Sequence, residues 1–150
     1  MNCLNSLYLA HEDRFCVTPV GHVFAMYAAH QGGQSLRTEF TAPEIQYDRD
    51  GKNTSFWGLK GSASLHGKEL VLTAVNPNVR APLEAQIVVH GARIGSADAT
   101  VLTASEIHAH NTFVDHQAVT PVSQKVHVSD GGGIFHFPAA SVSKIVLQLS

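Results

Sequence analysis

Much that could organise a chain of 150 residues is scarce in this one: two cysteines, one tryptophan, and no apolar run near a membrane span in length. A helix that crosses a bilayer needs roughly 20 apolar residues, so no membrane partner is expected. Cys3 and Cys16 are too few for a disulfide framework, and both sit among apolar neighbours, where a free thiol behaves as a small hydrophobe. The net charge is −2 with the signs scattered, which leaves no basic stripe for nucleic acid. Met1 is followed by Asn2-Cys3-Leu4 without the basic start of a secretory leader, so a cytoplasmic location is expected. Phosphate loop, CxxC pair and nucleophile elbow are all missing, and no cofactor is expected. What the chain does have is apolar content, 44% against 15% charged. That suffices for the core of one domain, or of one domain and a fragment, and argues against disorder.

The chain is organised around Phe15-Cys16-Val17-Thr18-Pro19 and the residues that follow. Phe15 to Val17 reads as a strand, Thr18 as a helix cap, and Pro19 as a first helical residue whose missing N–H costs nothing. Val20, Val23, Phe24 and Tyr27 make one helical stripe, and Gly32-Gly33 supplies the stop. Upstream, Cys3, Leu4, Leu7 and Tyr8 carry the spacing of another amphipathic helix. The expected order is therefore helix, strand, helix.

Beyond Gly33 the period becomes two. Strands are expected over 36–40, 45–47, 56–65, 70–75, 83–89, 100–103, 107–111, 122–128, 134–137 and 142–149. Asn76-Pro77-Asn78 and the glycine run 131–133 serve as turns, and the polar stretch 48–53 as a loop. So many short strands predict a sandwich or barrel of antiparallel sheets. Leu72 and Ile87 are expected in its core.

The stretch from Asn2 to Asp13, Val17-Thr18-Pro19 and His22-Val23-Phe24-Ala25-Met26-Tyr27 resemble the end of the catalytic barrel of glycoside hydrolase family 51 α-L-arabinofuranosidases. The similarity continues through Leu72 to Pro77, Ile107 to Phe113 and Phe137 to Val142, so it covers most of the chain. The resemblance implies a mainly β fold. An antiparallel, jelly-roll-like β-sandwich at 34–150 would follow a helix–strand–helix remnant of a (β/α)8 barrel at 1–33. It also implies a parent enzyme that removes terminal α-L-arabinofuranosyl groups from arabinan- or arabinoxylan-type substrates with retention. The partners would be the catalytic barrel of that enzyme and arabinose-containing polysaccharide. The start of the full-length family chain contributes to the sandwich, so a strand edge would be uncovered here.

No catalytic residue is expected in this chain. Retaining glycosidases need two carboxyl groups about 5 Å apart, and the family's two glutamates lie upstream of the Thr-Pro stretch. Glu12 and Asp13 are adjacent, and neighbouring side chains do not converge on one substrate atom. Glu106 reads as a turn or strand residue. The substrate-binding candidate is Trp57, as a sugar-stacking face, against a core role that a lone tryptophan takes more often. The metal candidates are His108 and His110, two apart on an expected strand, with His116 as a third nitrogen ligand. Their alternative is a structural place on the rim of the sandwich, and no metal is expected. His22 reads as a satisfied helix residue. Asp48 to Asn53 has a faint calcium-loop look, but its spacing fails the pattern. Two rival functions follow, a free-standing carbohydrate-binding sandwich built on Trp57 and a histidine-rich metal-binding sandwich. With the apolar residues of 1–31 unpartnered, the isolated chain is expected to self-associate, or to hold 1–14 loosely while 34–150 stays folded.

Overall fold

A computed structural model describes residues 6–129 and 132–150. Its elements are β1 (Tyr8–His11), β2 (Arg14–Val17), α1 (Pro19–Tyr27), a 3-10 turn (Ala28–His30), β3 (Gln34–Leu36), β4 (Ile45–Arg49), β5 (Lys52–Phe56), β6 (Lys60–His66), β7 (Glu69–Asn76), β8 (Leu83–Ile87), β9 (Ile94–Leu102), β10 (Val122–Lys125), β11 (His127–Ser129), β12 (Gly132–Phe137) and β13 (Ser141–Leu149). Four antiparallel sheets result: β10-β9-β13-β7-β6-β3, β11-β12-β8, β1-β2 and β4-β5.

Strand alternation explains the sandwich. Ala63, Leu70, Leu72, Ala74, Ala99, Val101, Ile145 and Leu147 share one face of the six-stranded sheet, and they meet Ile87, Phe135 and Phe137 of the three-stranded sheet. Phe135 and Phe137, two apart on β12, pack edge to face with ring centres 4.8 Å apart. Burial of such a side chain stabilises by about 1.5–3 kcal/mol. Leu72 and Ile87 are in this core, as expected. The turn after β7 is held by Asn76, whose buried amide donates to the carbonyls of Ala81, Phe137 and Pro138.

Helix α1 starts as its residues predict. Thr18 Oγ1 accepts from Gly21 N at 3.1 Å, and Pro19 occupies the first turn. The same hydroxyl donates to the Ser6 carbonyl at 2.7 Å, which ties the helix to the preceding chain. A Cβ at Gly21 would collide with the Leu7 carbonyl oxygen, so the glycine is what allows this close approach. The buried face is not the expected stripe. Met26 and Val23 pack with Leu102, Val119 and Val142, whereas Phe24 stays 61% exposed.

Several expectations are corrected. Leu7 and Tyr8 are a bend and the first residue of β1, not part of a helix, and residues 1–5, including Cys3 and Leu4, lie outside the described residues. β2 runs antiparallel to β1 from Tyr8↔Val17 to His11↔Arg14. Among the described residues, a hairpin followed by a helix stands where helix–strand–helix was expected. The strand over 56–65 is broken at 57–59, where Gly58 passes close to the Pro43 carbonyl and the chain leaves its pairing with β4 and enters that with β7. The stretch 122–128 divides at Val126, with β10 on β9 and β11 on β12, so the chain changes sheets there. The hairpin of β11 and β12 closes from His127↔Ile134 to Ser129↔Gly132, and Gly131 of its glycine run lies outside the described residues.

Residues 107–111 form no strand and belong to a loop over 103–121. Asn111 closes that loop with its side chain. Its amide donates to Val17 O and Val119 O, and its oxygen accepts from Val119 N at 2.7 Å. Ala104, Ala109 and Val119 then pack on the α1 end of the six-stranded sheet.

Candidate functional site

The predicted site residues are not brought together. Glu12 and Asp13 are the exposed turn of the β1–β2 hairpin, with Glu12 at φ 55°. Glu106 is exposed and accepts the backbone N–H of His108. His108 and His110 are exposed turn and loop residues, so the shared strand face that made them a ligand pair does not exist. His110 Nδ1 lies 3.0 Å from the His108 carbonyl, and His116 is exposed in a separate turn. Among the described residues no group of three His, Cys, Asp or Glu side chains is placed to hold a metal. The stretch 48–53 is the tip of the β4–β5 hairpin, where the Asp48 carboxylate accepts Gly51 N at 3.0 Å. His22 is not satisfied: its Nε2 is closed from solvent with no hydrogen-bond partner among the described residues.

Trp57 departs from the core role that its neighbours suggested. It is 48% exposed at the end of the β4–β5 hairpin, and Phe56 stands between it and Tyr47 in edge-to-face contacts of 6.2 and 5.6 Å. Other large apolar side chains are equally open. Tyr8 and Phe15 stack at 5.3 Å on the outward face of the β1–β2 hairpin, at 52% and 62% exposure. Nearby, Arg14 lies over the Phe113 ring at 5.0 Å and tethers the 103–121 loop to the hairpin.

Two further features had no clear sign in the sequence. A cleft of about 300 Å³ opens between the two sandwich sheets, where Leu36 and Phe40 face Ala85, Ile87 and Val89 across Leu72 and Phe137. It lies beside β8, the end strand of its sheet. The second feature is polar. His30 Nδ1 lies 2.7 Å from Ser64 Oγ and its Nε2 lies 2.9 Å from Thr73 Oγ1, on the outer face of the six-stranded sheet. Burial, and secondarily His66, hold the His30 imidazole below the ordinary histidine range. Only the even spacing of Ser62, Ser64 and His66 along β6 pointed to a polar outer face.

Among the described residues, the candidate carboxylates Glu12, Asp13 and Glu106 are exposed turn and loop residues and line none of these features. The profile of the α-L-arabinofuranosidase C-terminal domain matches residues 1–141. The chain belongs to that family. An intracellular exo-α-L-arabinofuranosidase of Bacteroides ovatus is 26% identical over 149 residues, 99% of this chain and 29% of its own length. The GH51 arabinofuranosidase of Xanthomonas axonopodis pv. citri superposes with a TM-score of 0.84 at 27% identity, over 95% of this chain and 28% of that one. For the α-L-arabinofuranosidase of Thermotoga maritima the TM-score is 0.80 at 22% identity, over 96% and 32%, a likeness of fold. The chain thus spans about a third or less of each relative, and it corresponds to their C-terminal, mainly β region.

Proposed function

We propose that this chain is the non-catalytic C-terminal part of an α-L-arabinofuranosidase. The parent enzyme hydrolyses terminal α-L-arabinofuranosyl groups of arabinan- or arabinoxylan-type substrates with retention, and it works in the cytoplasm. In it, residues 1–33 are the end of the catalytic (β/α)8 barrel, with the β1–β2 hairpin and α1 at the junction with the sandwich of 34–150. The observation that carries this reading is the family match over 1–141 in a chain that spans under a third of its curated relative. The surface agrees with it, since the stacked Tyr8 and Phe15 on the hairpin and Phe24 on the helix are more than half exposed, as side chains that meet a neighbouring domain would be. The cleft beside β8 suits a strand from the start of the parent chain, added to the open end of that sheet.

The test joins this chain to a barrel fragment that carries the two glutamates. The mixture should hydrolyse an aryl α-L-arabinofuranoside and the chain alone should not. Turnover by the chain alone, lost on substituting Glu12 or Asp13, would overturn the reading. The isolated chain should self-associate in light scattering, and removal of residues 1–33 should reduce that.

The exposure of Trp57 favours one second reading, an arabino-oligosaccharide-binding sandwich. Quenching or enhancement of Trp57 fluorescence by arabino-oligosaccharides, in the absence of any barrel, would support it.

A further inference from the structure

Two imidazoles share one hydroxyl on the outer face of the six-stranded sheet. His30 Nδ1 lies 2.7 Å from Ser64 Oγ, and His66 Nε2 reaches the same oxygen at 3.5 Å. His30 Nε2 meets Thr73 Oγ1, which in turn lies 3.2 Å from Ser62 Oγ. Ser64 and Thr73 are both buried. His30 belongs to the turn that continues α1, whereas its partners belong to β6 and β7. We propose that His30 and His66 form an acid-responsive pin, which fastens the helical segment 19–30 to the sandwich near neutral pH and loosens when both rings are charged.

The chemistry follows from the donor count. A neutral imidazole has one N–H and one bare nitrogen, and a hydroxyl can donate once and accept twice. A neutral His30 ring therefore fits both hydroxyls, donating to one and accepting from the other. Charging both rings leaves four N–H donors and two like charges on either side of one buried oxygen. Burial opposes the charge on His30, and His66 adds to that opposition. His66 has no easy retreat, because the backbone at Gly33 closes over its ring: a Cβ there would collide with the imidazole. Gly33 N also donates to the His30 carbonyl at 3.1 Å, so a displaced His66 moves the turn that carries His30.

The other titratable groups near the pin are few. Tyr27 of α1 has its ring centre 6.0 Å from that of His30. Glu69 of β7 is paired with His66 and accepts from Gln148 at 3.0 Å. Lys144 of β13 is paired with Thr73, and Lys60 lies at the far end of β6. None of these places a carboxylate between the two rings. The proposal does not depend on the arabinofuranosidase reading, and its failure would leave that reading intact.

Amide-exchange protection factors, which remove the intrinsic effect of pH on exchange, test it on the full 150-residue chain. Between pH about 7.5 and about 5, protection at 19–31 should fall about tenfold while that of β7 and β13 holds. His30→Gln keeps one donor and one acceptor and takes no charge, so it should flatten that fall. His66→Gln should reduce it and move the NMR titration of His30 upward. If His30→Gln does not fold, His66→Gln carries the same comparison. An equal fall in the variants, no fall in the wild type, or a fall shared by β7 and β13 would each overturn the pin.

Discussion

In the sandwich, Leu72, Phe135, Phe137, Ile145 and Leu147 are all closed off from water. In residues 6–33, Tyr8, Phe15 and Phe24 stand more than half exposed. Within 6–33, Cys16 and Met26 are buried and Val23 packs beside Met26, so partners in this chain cover one side of that region and leave Tyr8, Phe15 and Phe24 open. Tyr8 and Phe15, stacked on the hairpin, and Phe24 on the helix are the side chains to which the proposed catalytic barrel would supply partners.

Truncation separates the regions most strongly. Leu72→Ala should cost about 2–5 kcal/mol and Phe137→Ala about 3–5 kcal/mol in denaturant unfolding. Phe15→Ala and Phe24→Ala should each stay within about 0.5 kcal/mol in the isolated chain. A large cost at Phe24 would mean that the helix surface has a partner inside the chain, and the contrast would collapse.

The junction between the regions comes next. Gly21→Ala forces a methyl group against the Leu7 carbonyl and should destabilise by about 1–3 kcal/mol. Thr18→Ala removes the cap and the tie to Ser6, at about 0.5–2 kcal/mol. If both substitutions lower the protection of 8–31 and leave β7 unchanged, the two regions are energetically separable. Equal loss in both would show one cooperative unit.

Acid should sharpen the same division. The folded-state pKa of His30 lies below its unfolded value, so the unfolded chain binds more protons as pH falls below about 6.5. The contribution is fully present above that pH and is lost as pH falls through the folded value. The pH slope of stability in this window should be smaller in His30→Gln than in the wild type. The smallest effect is expected at Ser143, whose hydroxyl is buried in the β13 layer with no partner among the described residues. Ser143→Ala should be neutral or stabilising by up to about 1 kcal/mol, since no hydrogen bond is lost. A clear loss of stability would reveal a partner for that hydroxyl.

Local chemistry accounts for what was legible in the residues. Thr18-Pro19 sets a helix start through a cap and a missing N–H, both properties of adjacent residues, and the helix starts there. Alternation in 70–75 and 142–149 places Leu72 and Ile145 on one face, because a strand has a period of two whatever it pairs with. The family resemblance rested on the same short motifs. The strand reading failed where pairing was needed to complete it. Ile107 to Asn111 alternates like a strand but meets no sheet edge, and the Asn111 side chain supplies the hydrogen bonds a ladder would have made. Residues 7 and 8 have helical spacing, yet pairing with Arg14–Val17 draws Tyr8 into a hairpin. The exposure of Trp57 and the meeting of His30 with Ser64 and Thr73 were likewise decided by tertiary structure. His30 lies 34 and 43 residues before those partners, and only the pairing of β6 with β7 sets their two hydroxyls side by side beneath it.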